Sequence, residues 1–261
     1  MRKKLILLAL LAILLIVMLI VRGCGKRGEN EPDKEPGITQ TAAELPAGKP
    51  LGEVTILPDD GGVTITVETD GEQVSHTFVD LKGDAWCLDA VNYVVSNGLM
   101  NGTLDPDGTE RFRPDYGMTR AQFAMILYRF VGGEPVASPR RTYTDVPDYE
   151  WYYDCVNWAD ANRYITGETG ADTFGVNEYF SCEEVLTVLH HVAGDPVSNA
   201  SLEDYPYAPK VSERGLSAVR WAWETGLIAE DECVWYPTQA ISRAQIALLL
   251  MRYDQLVGYE I

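Results

Sequence analysis

Thr119-Arg120-Ala121-Gln122, Ser181-Cys182-Glu183-Glu184 and Ser242-Arg243-Ala244-Gln245 each stand just ahead of an apolar run. In the pattern Ser/Thr-x-x-Glu/Gln, the hydroxyl accepts from the third backbone N–H of a helix. The acid or amide three residues on returns to the N–H of the cap residue itself. Each stretch is therefore first of all a helix start. Arg120 and Cys182 are 62 positions apart, and Cys182 and Arg243 are 61 apart. A spacing of that length, kept twice, means one structural unit used three times. The outer two copies place an arginine directly after the cap, and the middle copy places Cys182 there.

Apolar residues three or four apart surround each cap. In the first copy they are Leu88, Val91, Val94, Val95 and Leu99, then Phe123, Ile126, Leu127 and Phe130. The second gives Tyr152, Val156 and Ala159, then Val185, Val188, Leu189 and Val192. The third gives Leu216, Val219, Ala222 and Trp223, then Ile246, Leu249, Leu250 and Tyr253. Each unit reads as helix, irregular loop, helix, over 78–133, 142–194 and 202–258. The loops carry Phe112-Arg113-Pro114, Phe174 and Trp235-Tyr236-Pro237. A helix pair of about 55 residues is too small to bury its own apolar faces, so the three share one core.

Upstream the period changes. Val54–Leu57 and Val63–Val67 alternate, and Thr69-Asp70-Gly71-Glu72 is a turn signal before Gln73–Phe78, so 54–77 reads as a β ribbon. Residues 28–53, rich in Glu, Pro, Gly and Lys, read as a disordered linker. In 1–27, Arg2, Lys3 and Lys4 precede an unbroken apolar run from Leu5 to Val21. At about 1.5 Å per residue that run spans roughly 26 Å, near the hydrocarbon thickness of a bilayer. It favours an uncleaved anchor; a lipidated Cys24 and a simply cleaved signal are the alternatives.

The 261 residues carry a formal charge of −18. Residues 1–53 hold 8 basic and 6 acidic side chains, which leaves a net −20 on the rest. So acidic a body is repelled by nucleic acid. Five cysteines without a paired spacing argue against a disulfide framework or a zinc site, and three histidines supply poorly any triad. No cofactor is implied. Asp105-Pro106-Asp107-Gly108 opens like a calcium loop, but its twelfth position is Tyr116, where a bidentate Glu is needed. Trp158, Trp221 and Trp223, on the first helix of a unit, read as core.

Laid together, the copies repeat several motifs in one order. Phe78-Val79-Asp80, Trp86, Gly98–Gly102, Phe112-Arg113-Pro114 and the first cap are followed by Tyr143-Thr144-Asp145, Trp151, Ile165-Thr166-Gly167, Phe174 and the second. The third runs Leu202-Glu203-Asp204, Gly226-Leu227-Ile228, Pro237 and its cap. This resembles a triplet of S-layer homology domains over residues 78–258. The resemblance implies a mainly α fold: three repeats in a pseudo-threefold, three-pronged bundle, here preceded by the β ribbon and an N-terminal transmembrane or signal helix. It implies a bacterial cell-surface protein, and the apolar run Leu5–Val21 adds a membrane anchor with 28–261 extracytoplasmic. Its partner would be an anionic, often pyruvylated, secondary cell-wall polysaccharide held in grooves between units, with no catalysis. By motif position Arg120 and Arg243 would be principal contacts. Asp80, Trp86, Asp145, Trp151 and Asp204 would lie near the grooves.

A cation beside a helix N-terminus opposes the helix dipole. It makes sense facing an anion that the N-terminal amides also attract, or paired with one of the many acids. Cys182 replaces the arginine, and the charges of Glu183 and Glu184 suit the dipole and repel a carboxylate, so the second unit reads as structural. In the third, the position twelve before Gly226 is Arg214, where the first unit has Trp86. Two rivals stand beside wall binding: a protein-interaction scaffold with decayed sugar binding, and an enzyme acting on wall polymers, for which no carboxylate pair has a recognisable setting.

Overall fold

The computed structural model describes residues 51–58, 61–69, 71–168, 170–230 and 233–257. These lie in one compact unit, residues 46–259; the chain's other unit, 1–45 with 260–261, falls outside them. The run Leu5–Val21, read as an anchor, and most of the linker are likewise outside the described residues.

Three strands come first: β1 (Glu53–Ile56), β2 (Val63–Thr69) and β3 (Glu72–Phe78). Helices and two short strands follow: α1 (Leu88–Ser96), β4 (Thr103–Leu104), β5 (Glu110–Arg111), α2 (Arg120–Phe130), α3 (Tyr153–Ala161), α4 (Cys182–Val192), α5 (Leu216–Glu224) and α6 (Arg243–Val257). The sheet runs β1-β2-β3-β5-β4, antiparallel except for the parallel β3–β5 pair. This overturns the mainly α reading, because the described residues combine six α-helices with a five-stranded mixed sheet. The ribbon does not stop at its own hairpin. Phe78 pairs with Glu110 in the loop of the first unit, and Val79 N–H donates to Glu110 O at 3.1 Å, so that loop becomes sheet. Nor is an N-terminal transmembrane helix supported: among the described residues no helix is long and apolar enough to cross a membrane.

The ribbon follows from its alternation. Val63 and Ile65 are fully buried, while Thr64 and Thr66 pair across the outer face with Thr77 and Ser75. Gly62 opens β2 at φ +105°, where a Cβ would lie 2.3 Å from Phe78 O, so only glycine fits. Buried Asn92 on α1 clamps the leading segment through Gly52, accepting from its N–H at 3.1 Å and donating to its carbonyl at 3.0 Å. His76 reaches Glu110 at 3.0 Å, and Phe78 meets Phe112 edge-on, which seats the sheet on the core.

All three capping pairs form. Gln122 Oε1 accepts from Thr119 N–H at 3.0 Å, Glu184 Oε2 from Ser181 N–H at 2.8 Å, and Gln245 Oε1 from Ser242 N–H at 2.8 Å. The helices of one unit do not pack mainly on each other. The second helix of each unit packs on the first of the next: α2 on α3, α4 on α5, and α6 back on α1. Backbone hydrogen bonds close the same cycle at its centre. Phe180 N–H donates to Met118 O, Ile241 N–H to Phe180 O, and Met118 N–H to Ile241 O, at 2.9–3.0 Å. Three units thus form a ring with three junctions. Buried Phe123, Phe180, Leu189, Ile241 and Leu249 contribute to its common core.

Candidate functional site

Each junction is built by the residue after the cap. At the first, Arg120 N–H donates to Glu178 O at 2.9 Å and Ala121 N–H to Val176 O at 3.2 Å. The side chain then crosses to the loop of the second unit. Its Nε donates to Phe174 O at 2.9 Å and Nη2 to Thr166 O at 2.8 Å, with the guanidinium 5.0 Å from the Phe174 ring centre and 4.9 Å from that of Phe180. Arg243 repeats this against the first unit. Nε donates to Phe112 O and Nη2 to Asn101 O, both at 2.7 Å, and the guanidinium lies 4.8 Å from the Phe112 ring centre. Burial pushes the Arg243 guanidinium down to about 10; Asp80 opposes that shift and Arg113 adds to it. It is still a cation at neutral pH.

Arginine at this position therefore has a structural duty that local sequence does not show. It offsets the poor match with its own helix dipole by donating to carbonyls of the next unit. The helix amides are likewise taken, by loop carbonyls at the first two helical positions and by the cap at the third. A ligand anion sharing those amides, as the sequence suggests, does not fit. Among the described residues neither Arg120 nor Arg243 is paired with a carboxylate, and Nη1 of each makes no hydrogen bond.

The aspartates at the head of the first two units hold the loops that receive the arginines. Asp80 accepts from Phe112 N–H at 2.9 Å and Arg113 N–H at 2.7 Å, the latter residue being left-handed at φ 59°. Asp145 accepts from the N–H groups of Phe174, Gly175 and Val176 at 2.7, 2.8 and 3.1 Å, with Gly175 left-handed at φ 81°. Burial would raise the Asp145 pKa, but these three donors outweigh it and hold the carboxyl below its usual range. Asp204 has the same place in sequence, but it is exposed and among the described residues accepts no hydrogen bond. Trp86 and Trp151 are 41% and 56% exposed, and Trp151 packs edge-on against Tyr152.

The sequence residues are thus brought together across unit boundaries. Arg120 joins the Asp145 loop, and Arg243 joins the Asp80 loop. At the second junction Cys182 N–H and Glu183 N–H still bond Gln239 O and Pro237 O, at 3.0 and 2.9 Å. Among the described residues no arginine reaches the loop carbonyl there, and the Tyr205 hydroxyl donates to Trp235 O in its stead. Tyr205 stands where the other units have buried Leu81 and Val146. That single replacement was the available signal. Burial pushes the Cys182 thiol up to about 12, so the position after the cap is uncharged here where the others hold a cation.

Cys182→Arg alone is expected to cost about 2–3 kcal/mol through overpacking against Tyr205. Adding Tyr205→Val should recover more than half of that loss in a denaturant double-mutant cycle. Strictly additive losses would show that Tyr205 does not occupy the arginine's place.

Open space gathers at the first junction. Two adjoining cavities of about 540 and 560 Å³ share Arg120, Thr166, Glu184 and Arg214 in their walls. The loop that resembled a calcium site is closed by arginines instead. Asp105 accepts from Arg111 and, at 2.6 Å, from Arg113. Trp158 and Trp221 are buried at 7% exposure each, as core.

Residues 77–124 match the family model of the S-layer homology domain. The chain is 44% identical over 137 residues to a cellulosome-anchoring protein of Acetivibrio thermocellus, covering 51% of this chain and 30% of that protein. It is 35% identical over 134 residues to cell surface glycoprotein 1 of the same organism, covering 47% of this chain and 6% of that one. With the S-layer protein sap of Bacillus anthracis it shares 21% identity over 192 residues, covering 70% and 22%. The chain thus spans less than a third of the length of these relatives. The stretch that matches the S-layer homology domain runs from the end of β3 into the second helix of the first unit.

Proposed function

We propose that this protein attaches to the bacterial cell wall by binding an anionic secondary polysaccharide, pyruvylated in the family's usual manner, without catalysis. The reading extends the S-layer homology assignment to the second and third units, whose caps and inter-unit contacts repeat those of the first. The observation that carries it is the partly exposed guanidinium of Arg120. It is held rigid by two carbonyls, yet forms a wall of both cavities at the first junction. A cation already oriented by the protein binds a carboxylate at low entropic cost. Arg243 is more deeply placed and would contribute less. Asp80 and Asp145 support the site by holding the loops, and Trp86 and Trp151 offer exposed ring faces to sugars. The relatives' names, cellulosome-anchoring and S-layer protein, fit surface attachment.

Co-sedimentation with purified wall sacculi tests the proposal. Wild-type protein is expected to pellet with sacculi that retain their polysaccharide and to stay soluble with stripped ones. Equal pelleting with both would refute it. Arg120→Lys, which keeps the charge but not the fork of donors, is expected to melt a few degrees lower, remain folded at the assay temperature, and pellet less than wild type.

A further inference from the structure

The third unit carries a set of aromatic rings that the other two do without. Tyr205, Tyr207, Trp223 and Trp235 line one cavity of about 290 Å³, near the lower bound of small-ligand sites. Matching positions can be counted from the head aspartate, from the left-handed residue that follows the first helix, and from the loop. They hold Leu81, Gly83, Val95 and Phe112 in the first unit, and Val146, Asp148, Asp160 and Phe174 in the second. Only the loop position is aromatic in all three. The fold itself therefore does not require the rings of Tyr205, Tyr207 and Trp223.

In the first two units the chain itself occupies these positions. Ile56 of β1 lies over Gly83, where a Cβ would come within 2.5 Å of its Cδ1. In the second unit Arg140 Nη2 and the Tyr143 hydroxyl both donate to Asp160 Oδ1, at 2.8 and 2.6 Å. The third unit leaves the corner open. Tyr205 meets Tyr207 at 78° and Trp223 at 47°, with ring centres 6.0 and 5.3 Å apart. Rings so inclined do not stack flat; they bound a hollow. Trp223, which its place on the first helix assigns to the core, is only partly buried.

Charge selects the guest. Glu230 lines the cavity, exposed and without a hydrogen bond or ion pair among the described residues, and no basic side chain among them lines it. Trp223 stands in the last turn of α5, at the negative end of the helix dipole. Ring faces, a carboxylate and a helix C-terminus all attract a cation. A primary ammonium is strongly hydrated and resists being stripped of water, whereas a methylated one has an apolar surface and keeps its charge. We propose that this cavity binds a methylated ammonium group, such as the head of choline, between Trp223 and Tyr207 with Glu230 at its rim. The site lies within one unit, apart from the junctions and their arginines, and does not depend on the wall-binding reading.

Calorimetric titration of the full chain with choline, and with its uncharged tert-butyl analogue in which carbon replaces nitrogen, tests the site. Choline is expected to bind with a Kd of about 1 mM or tighter and to quench tryptophan fluorescence, with the analogue about tenfold weaker. Glu230→Gln, a change at an exposed residue, should weaken choline about threefold and leave the melting temperature unchanged. Trp223→Leu should weaken it about tenfold. Absence of choline binding at about 10 mM would overturn the proposal. So would equal affinity for the charged and uncharged ligands, or wild-type affinity in both variants. Should Trp223→Leu fail to fold, Glu230→Gln decides alone. Pelleting with sacculi reads a different contact, so neither result bears on the other.

Discussion

Asp145→Ala is expected to lower the melting temperature by about 10 °C. Its carboxylate accepts from three consecutive backbone N–H groups, of which Phe174 and Val176 belong to buried residues. Each orphaned buried donor costs about 1–3 kcal/mol. Some water will reach the partly buried site, so the sum is about 4 kcal/mol, and a domain of this size loses about 2–4 °C per kcal/mol. The damage is also positional, because the Asp145 loop supplies both carbonyls that hold Arg120 or leads directly to them. The same carboxylate predicts a pH effect. Its folded pKa lies below the unfolded value, so its contribution is complete above about pH 4 and is lost as pH falls through the folded pKa. Wild type should therefore lose stability more steeply below about pH 4 than Asp145→Asn. Parallel acid unfolding curves would mean that the three donors do not depend on this side chain.

Arg243→Ala is expected to cost about 3 kcal/mol in urea unfolding. It removes two charge-assisted hydrogen bonds and a stacked cation from the junction that closes the ring, across a separation of 131 residues in sequence. Phe112 O and Asn101 O lose their partner together. Arg243→Lys should recover less than half of the loss, since an ammonium cannot address both carbonyls with the fork geometry. A fully restored midpoint in the lysine variant would reduce the contact to its charge alone.

What was readable in the chain was what repeats locally. Three capping pairs and the helical spacing around them need only four to eleven neighbouring residues, and they form as expected. The alternation of Val63 to Val67 sufficed for the ribbon. The sheet's extension did not show, because β4 and β5 are two residues each and have no period to detect. The arginines' partners did not show for a related reason: they lie in the next loop, 46 to 142 positions away. Asp204 shows the reverse, since it keeps the letter of the motif and, among the described residues, not the hydrogen bonds that Asp80 and Asp145 make. Tyr205, one position on, took over the loop. Matching positions across repeats reports ancestry of the fold. The site depends on which side chain crosses each junction.

The central claim is that a carboxylate-bearing wall polymer is recognised by arginine at the first junction. Calorimetric titration of the full chain with purified secondary polysaccharide, before and after removal of its pyruvate ketals, tests it most directly. Binding to the pyruvylated polymer that disappears on depyruvylation, and that Arg120→Lys weakens, is the predicted result. Equal affinity for both polymers would contradict it.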